Sequence, residues 1–406
     1  MSQTLIPINE IDSYLDPRLW TICTAAILNK TKKTRNFKEA IKDIDIWLND
    51  INNLSTVIEY HGLSGLMYSL SKHTQLNLPM PAAMVIKGST AKHSQRWQAI
   101  THVLKNINTI AGDIDFCLLK GSALTSDIYD SPYERAMSDI DIMCSPENAL
   151  LLYQKCLENG FSATETIPTE LVKHHHLPAV FQKIGQHSIY LEIHTHALSH
   201  DLKDQLHWQD IQGQFRTIHI AETTFNILQH ETMLLQLCVH AFARDQVIKL
   251  SNIVDIFRYS IIHEKDIDWQ KLALEYPQVI LIMRYARLLL ELPSDVLPQV
   301  KDLNLDGMKK FRGLGEGMLP LREFQNTEIS TIQRFKMLFF PSPWWQCIFY
   351  RVEPSLEKHK IRLKTAFSVR YVLHPINIIY WTFSKVILPN IMSKKISKAN
   401  LSQVSK

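Results

Sequence analysis

An α+β fold, in which a small mixed β-sheet core lies between N- and C-terminal helical regions, follows from three observations. Long stretches carry Leu, Ile, Lys, Gln and Glu with few breakers, which favours helix over most of the chain. Glycine is scarce, at 12 of 406 residues, which disfavours glycine-rich dinucleotide folds. Short apolar runs bounded by glycines and turn residues cluster between residues 113 and 205, where they read as strands.

Residues 1–112 are read as an N-terminal helical region. Ala40 to Ser71 has helical spacing interrupted by Gly62 and Gly65. A second helix is expected over Pro81 to Ala111, with Met84, Val85, Ile100, Val103, Ile107 and Ile110 as its core side. The core spans 113–205. Phe116 to Lys120 is apolar and stops at Gly121, so it reads as a buried strand. Gly121-Ser122 opens a short helix ending near Tyr129, and Ser138 to Met143 is the next strand. Ser145 fits an N-cap and Pro146 a first helical residue, with Gly160 stopping that helix after Asn159. Strands within Ala179 to Ile184 and over Ser188 to His194 flank a Gly185-Gln186 turn. Residues 206–335 read as a helical domain, with helices over Thr224 to Phe242, Lys249 to His263 and Trp269 to Leu290. Residues 336–406 form a separate C-terminal segment, aromatic and then basic.

Net charge is only +4, so the whole chain is no obvious nucleic-acid binder, and no stable nucleic-acid partner is expected. The charge is uneven: ten Lys or Arg and no acid lie between Lys358 and Lys406. That tail, with the aromatic run from Met337 to Trp345, suits an anionic membrane surface or a nucleic-acid groove. It equally suits a core element with a solvated basic end, and these alternatives stay open. Six cysteines without a CxxC pair point to a reducing compartment. The N-terminus lacks an apolar signal region, and Tyr371 to Met392 is broken by His374, Pro375, Lys385 and Pro389. A cytoplasmic location is expected, with peripheral contact at the inner membrane face as the tail's contribution.

Strand side chains alternate faces, so Asp139 and Asp141 share one face while Ile140 and Ile142 take the other. Two carboxylates on one face repel unless a cation lies between them, and an all-oxygen pair suits Mg2+, with Mn2+ as the alternative. Glu192 and His194 share a strand face in the same way. If that strand neighbours Asp139-Ile140-Asp141, Glu192 completes a three-carboxylate metal site of the kind that holds two ions. Gly121-Ser122 at a strand-to-helix turn permits close phosphate approach. Lys120 and Arg135 are placed to offset phosphate charge, and His194 to line the nucleotide site. Neither Asp139 nor Asp141 is expected in the core.

With these residues, LKGSAL, YDSPYERAMSDIDIM and LEIH, the chain resembles the DNA polymerase beta-like nucleotidyltransferase superfamily. Within it, the chain looks like the uncharacterised bacterial nucleotidyltransferase family. The resemblance covers roughly 116–200 and extends loosely to His240, Asp255 and Ile267-Asp268-Trp269. Sixteen residues separate Ser122 from Asp139, more than in many superfamily members. The resemblance implies a nucleotidyltransferase core. It implies Mg2+ on Asp139, Asp141 and Glu192, and NTP (ATP among them) bound through Lys120, Gly121, Ser122, Arg135 and His194. The expected reaction moves an NMP group to an acceptor and releases pyrophosphate. The acceptor, a sugar, lipid-linked glycan, peptide or protein, or RNA, is not readable. The alternative is a nucleotide-binding or regulatory protein that keeps the fold without catalysis. A zinc hydrolase built on His174, His175, His176, His187, His194, His196 and His200 is disfavoured, because neither HExxH nor a cysteine partner accompanies them.

Overall fold

The computed structural model describes residues 17–302, except 32–33, 49–54, 75, 166–175, 199–205, 242–248 and 291. The C-terminal segment 336–406, with its aromatic and basic stretches, lies outside the described residues, as do His174, His175, His200 and Cys347.

Among the described residues, five helices precede the sheet: α1 Pro17–Leu28, α2 Thr34–Trp47, α3 Ser55–Tyr60, α4 Ser64–His73 and α5 Met80–Ala111. The long helix appears where periodicity places it. Ile100, Val103 and Ile107 are buried, but Met84 and Val85 are 70% and 41% exposed; in the first turns Ala82 and Ile86 face the core instead. The core follows as β1 Cys117–Leu119, α6 Lys120–Asp127, a 3-10 turn Pro132–Glu134, β2 Asp139–Met143, α7 Pro146–Glu158, β3 Ser162–Ala163, β4 Val180–Ile184 and β5 His187–His194. The punctuation read from sequence holds. Asn148 N–H donates to Ser145 Oγ at 3.2 Å, and Gly160 and Gly185 take the positive φ that the helix stop and the hairpin require.

The helical reading of Thr224 onward is corrected. After α8 Trp208–Ile211 come β6 Phe215–Ile220 and β7 Thr223–Leu228, an antiparallel hairpin, and the helix α9 begins only at His230, running to Val239. Thr223-Thr224-Phe225-Asn226-Ile227 buries alternate residues, a period of two that the apolar content of the following helix obscures. Next are α10 Leu250–Ile262, α11 Trp269–Glu275, α12 Pro277–Leu289 and α13 Pro298–Asp302. The expected single helix over Trp269 to Leu290 is therefore two. Pro277 disfavours helical backbone at Tyr276, which adopts an extended φ of −130°.

The seven strands among the described residues form one mixed sheet, ordered β3-β4-β5-β2-β1-β7-β6. Central β2 pairs antiparallel with β1 and parallel with β5. β1 pairs parallel with β7, which brings the late hairpin into the sheet. Arg96 of α5 donates to the backbone carbonyls of Ser138 and Ser188, pinning the starts of β2 and β5 together. The five described cysteines are free and buried. No helix among the described residues is long and apolar enough to cross a membrane.

Two contacts set the helices against the sheet. A Cβ on Gly65 of α4 would lie 1.8 Å from the Tyr133 carbonyl oxygen, so only glycine lets α4 approach the 3-10 turn. His61, 1% exposed, accepts the Leu250 N–H on Nδ1 at 3.3 Å, and its carbonyl accepts the Ser251 N–H at 3.2 Å. It thereby caps α10, and the accepting nitrogen must be unprotonated.

Gly65→Ala is expected to lower unfolding free energy by about 2 kcal/mol or more, from overpacking against backbone that cannot yield. Urea denaturation measures it; an unchanged midpoint would show that α4 can retreat at no cost. Burial, then Lys249, holds the His61 pKa down at about 4. A base depressed in this way leaves the fold fully stable above the unfolded pKa of about 6.5. Stability then declines as pH falls toward 4 and levels off below it, by on the order of 3 kcal/mol for this group. Unfolding curves between pH 7.5 and 4.5 should show this slope, reduced in His61→Gln.

Candidate functional site

The sheet register assembles the acidic cluster. Leu119 at the end of β1 lies opposite Asp141, and Asp141 lies opposite Glu192 in the parallel β2–β5 pair. The expectation that these strands are neighbours is met, and Asp141, Glu192 and His194 have ligand atoms within 4.8 Å of one another. Asp139 stands opposite Tyr190 and is not part of that compact set.

Asp141 differs from expectation. It is 4% exposed, within the core rather than outside it. Its Oδ1 accepts from Lys120 Nζ at 2.6 Å and from His194 Nε2 at 2.8 Å. Burial opposes its charge, but Lys120 and His194 outweigh that and hold the carboxyl far below the usual carboxylate range. His194 is fully buried behind Asp141 rather than lining an open nucleotide pocket, and its Nε2 also lies 3.5 Å from Glu192 Oε2. That contact, against an opposing burial effect, lowers the Glu192 pKa. Asp139 goes the other way: burial first, then repulsion by Asp141, raises its pKa.

Lys120 reaches Asp141 from a backbone φ of 49°, the left-handed region that non-glycine residues rarely occupy. Gln236 of α9, fully buried, braces this turn. Its Oε1 accepts the Lys120 N–H at 3.2 Å, while its Nε2 donates to the Ala197 carbonyl at 3.3 Å. Ser122 is 1% exposed, and its hydroxyl donates to the Leu119 carbonyl at 2.8 Å, so here it shapes the turn. Gly121 lies in the cleft wall, and a Cβ there would press within 3.4 Å of the Arg135 guanidinium.

Arg135 is held by α10. Its Nε donates to both carboxylate oxygens of Asp255, at 3.0 and 2.8 Å, and Asp255 also accepts from the Tyr129 hydroxyl. The preceding Glu134 accepts from Arg258 at 2.7 Å and from Ser69 at 2.7 Å. Between these elements lies a cleft of about 350 Å³. Lys120, Gly121, Arg135, Asp139 and Asp141 line one side. His240, Lys249, Ser251 and Asn252 line the other, with Tyr60 and Gly62 from the N-terminal helices. Glu192 and Ser122 are not part of this lining. The carboxylates and cations meeting in one concavity suit a polyanion bound with a cation. Sequence reading missed Lys249, Ser251 and Asn252, and it left His240 and Asp255 unassigned. None carries a local motif, and Asp255 meets Arg135 across 120 residues.

A family model described as an uncharacterised nucleotidyltransferase matches residues 48–290. No curated protein matches the chain. Among solved structures, the solution structure of the antibiotic-resistance factor ANT(2'')-Ia is 16% identical, with 47% of this chain and 95% of that chain covered and a TM-score of 0.30. The crystal structure of an antigenic nucleotidyltransferase-like protein from Paracoccidioides brasiliensis is 13% identical, with 52% and 96% covered and a TM-score of 0.29.

Asp255→Asn strands the 13%-exposed Arg135 side chain without its counter-charge. The expected loss is about 3 kcal/mol of unfolding free energy in urea. A loss below about 0.5 kcal/mol, in the range of an ordinary surface substitution, would show that the pair does not hold the loop.

Proposed function

This chain belongs to the uncharacterised nucleotidyltransferase family and is a transferase of that class, and from that premise we propose Mg2+-dependent transfer of an NMP group from an NTP to an acceptor hydroxyl or phosphate, with release of pyrophosphate. One observation supports it above the rest: two carboxylates, half-buried Asp139 and buried Asp141, line the same cleft as Lys120, Arg135 and Lys249.

The donor set fits a hard divalent cation. Burial and its neighbour raise the Asp139 pKa, the mark of a repulsion that a cation would relieve. Both Asp141 contacts fall on Oδ1, which leaves its second oxygen for coordination. Asp139 and Asp141 would hold Mg2+, with Mn2+ as the alternative ion, and Glu192 would complete the set. Bound there, the ion would supply charge neutralisation to the reacting phosphates. Lys120, Arg135 and Lys249 bind the triphosphate, with Gly121 giving it close backbone approach. His194 holds Asp141 and Glu192 in place from behind rather than touching the nucleotide. Glu192 accepts the proton of the attacking group. Positioning and charge complementarity supply most of the rate.

The acceptor follows from no feature of the cleft. Lys120 seated on Asp141 also suits a second reading, a nucleotide-binding protein whose carboxylate stays neutralised and never takes a metal.

The test is incubation of purified protein with each labelled NTP, Mg2+ and cell extract as acceptor source. Pyrophosphate release or a labelled adduct is expected, reduced at least about 100-fold in Asp139→Asn, the loss expected when charge stabilisation of the reacting phosphate is removed. Full activity in that variant would sink the assignment of Asp139. NTP binding without turnover in the wild type would select the second reading.

A further inference from the structure

The geometry points to a second cation site, apart from the nucleotide cleft, in which His230, His263 and Asp266 hold a divalent metal of the zinc class. His230 opens α9, His263 follows the last residue of α10, and Asp266 lies in the turn beyond it. One ligand atom from each lies within 4.8 Å of the others. The two imidazole rings lie 4.6 Å apart between centroids, inclined at 48°.

In each ring, one nitrogen is engaged from outside the trio. His263 Nε2 bonds Asp127 Oδ2 at 3.1 Å, and His230 Nδ1 bonds the Tyr259 hydroxyl at 3.0 Å. The nitrogens left over are His263 Nδ1 and His230 Nε2. A carboxylate or hydroxyl behind the ring that fixes the imidazole and directs its other nitrogen is the outer support that metal-ligating histidines require. Asp127 and Tyr259 are themselves held by Arg216, at 2.9 Å from each.

Asp266 separates this reading from a plain hydrogen-bond network. Its Oδ2 lies 3.8 Å from His263 Nδ1, beyond hydrogen-bonding range, and its side chain is 64% exposed. At that distance its carboxylate makes no hydrogen bond to His263, and a cation would bridge it to the rings. Tetrahedral zinc, with bonds of about 2.0–2.1 Å, sets ligand atoms about 3.4 Å apart. The exposed carboxylate can close that difference by rotation. Two imidazoles and one carboxylate leave one position for water and favour zinc-class ions over magnesium.

Local charge permits the ion. Arg216 contributes one positive charge, Asp127 and Asp266 two negative ones, and Glu231 lies close by on α9. Such an ion would tie the end of α6, strand β6 and the facing ends of α9 and α10 into one corner.

The test is titration of the full chain with Co2+ in millimolar Mg2+, which keeps the oxygen-rich cleft supplied. One equivalent with visible ligand-field bands of tetrahedral cobalt, displaced by Zn2+, is expected. Asp266→Asn should weaken binding at least about tenfold, and His230→Gln with His263→Gln should abolish it. Asp141→Asn, which alters only the cleft, should leave the bands intact. Absence of the bands in the wild type, their survival in the double histidine variant, or their loss in Asp141→Asn would each overturn the site. Because Asp266 is exposed and outside the hydrogen-bond network, its variant remains informative even where the histidine variants fold poorly.

Discussion

A single carboxylate oxygen organises this site. Oδ1 of Asp141 accepts from both Lys120, the first residue after β1, and His194, the last residue of β5, so its partners reach it from either side of β2. The arrangement exists only in one register. A slip of β2 by one residue would turn Asp141 to the opposite face and present Ile140 or Ile142 to the lysine. The turn at Lys120 adds strain of about 1–2 kcal/mol, the cost of left-handed backbone at a residue with a Cβ. Gln236 offsets it by satisfying the Lys120 N–H from a helix more than a hundred residues away. Buried ion pairs contribute little net stability, because desolvation cancels much of the attraction. What this one provides is position: it fixes where the carboxylates stand before anything binds.

The same device recurs one layer out. Asp255 and Arg258, three apart on α10, face the loop that leads into β2, where consecutive Arg135 and Glu134 meet them with opposite charges. The two pairs are crossed, so a shift of the loop along the helix would set like charges against each other. Arg258 also stacks 4.7 Å over the Tyr129 ring, and Tyr129 donates to Asp255, closing the circuit. His61 links the first helical region to the start of that same helix. The helices outside the sheet are therefore part of the cleft's wall, with Lys249, Ser251 and Asn252 presented beside the carboxylates.

These long-range contacts explain what the sequence could and could not reveal. The β2 strand was legible because a period of two puts Asp139 and Asp141 on one face, and Ser145-Pro146 and Gly185-Gln186 announce their own ends. The neighbouring position of β5 was an inference from acid spacing that the register meets at Asp141 and Glu192. The break before Pro277 was visible and misread, since proline restrains the residue before it. The β6–β7 hairpin was hidden because Thr224 to Leu228 runs straight into the apolar face of α9. Asp255 gave no local sign at all. A helical aspartate is ordinarily solvated, and only the fold brings Arg135 to it. The shared strand face of Glu192 and His194 is legible from spacing, but the complete burial of His194 depends on distant segments that pack against it, such as the His176 ring 5.3 Å away, which no local pattern encodes.

The two aspartates of β2 have been given opposite electrostatic fates by the same fold. Asp141 is compensated twice and stays ionised at any ordinary pH. Among the described residues, the Asp139 carboxylate is hydrogen-bonded by the Ser138 hydroxyl, and it is disfavoured as an anion by burial and by the charge of Asp141. An entering cation therefore gains most at Asp139, where it removes an existing penalty, and least at Asp141, where it must compete with a lysine. That asymmetry gives the cleft a direction. Its unsatisfied negative charge lies toward the start of β2, beside Ser138 and the Arg135 loop, and its satisfied charge lies toward β5. On the proposed function, a cation would be favoured most at Asp139, leaving Lys120, Arg135 and Lys249 to meet the phosphates.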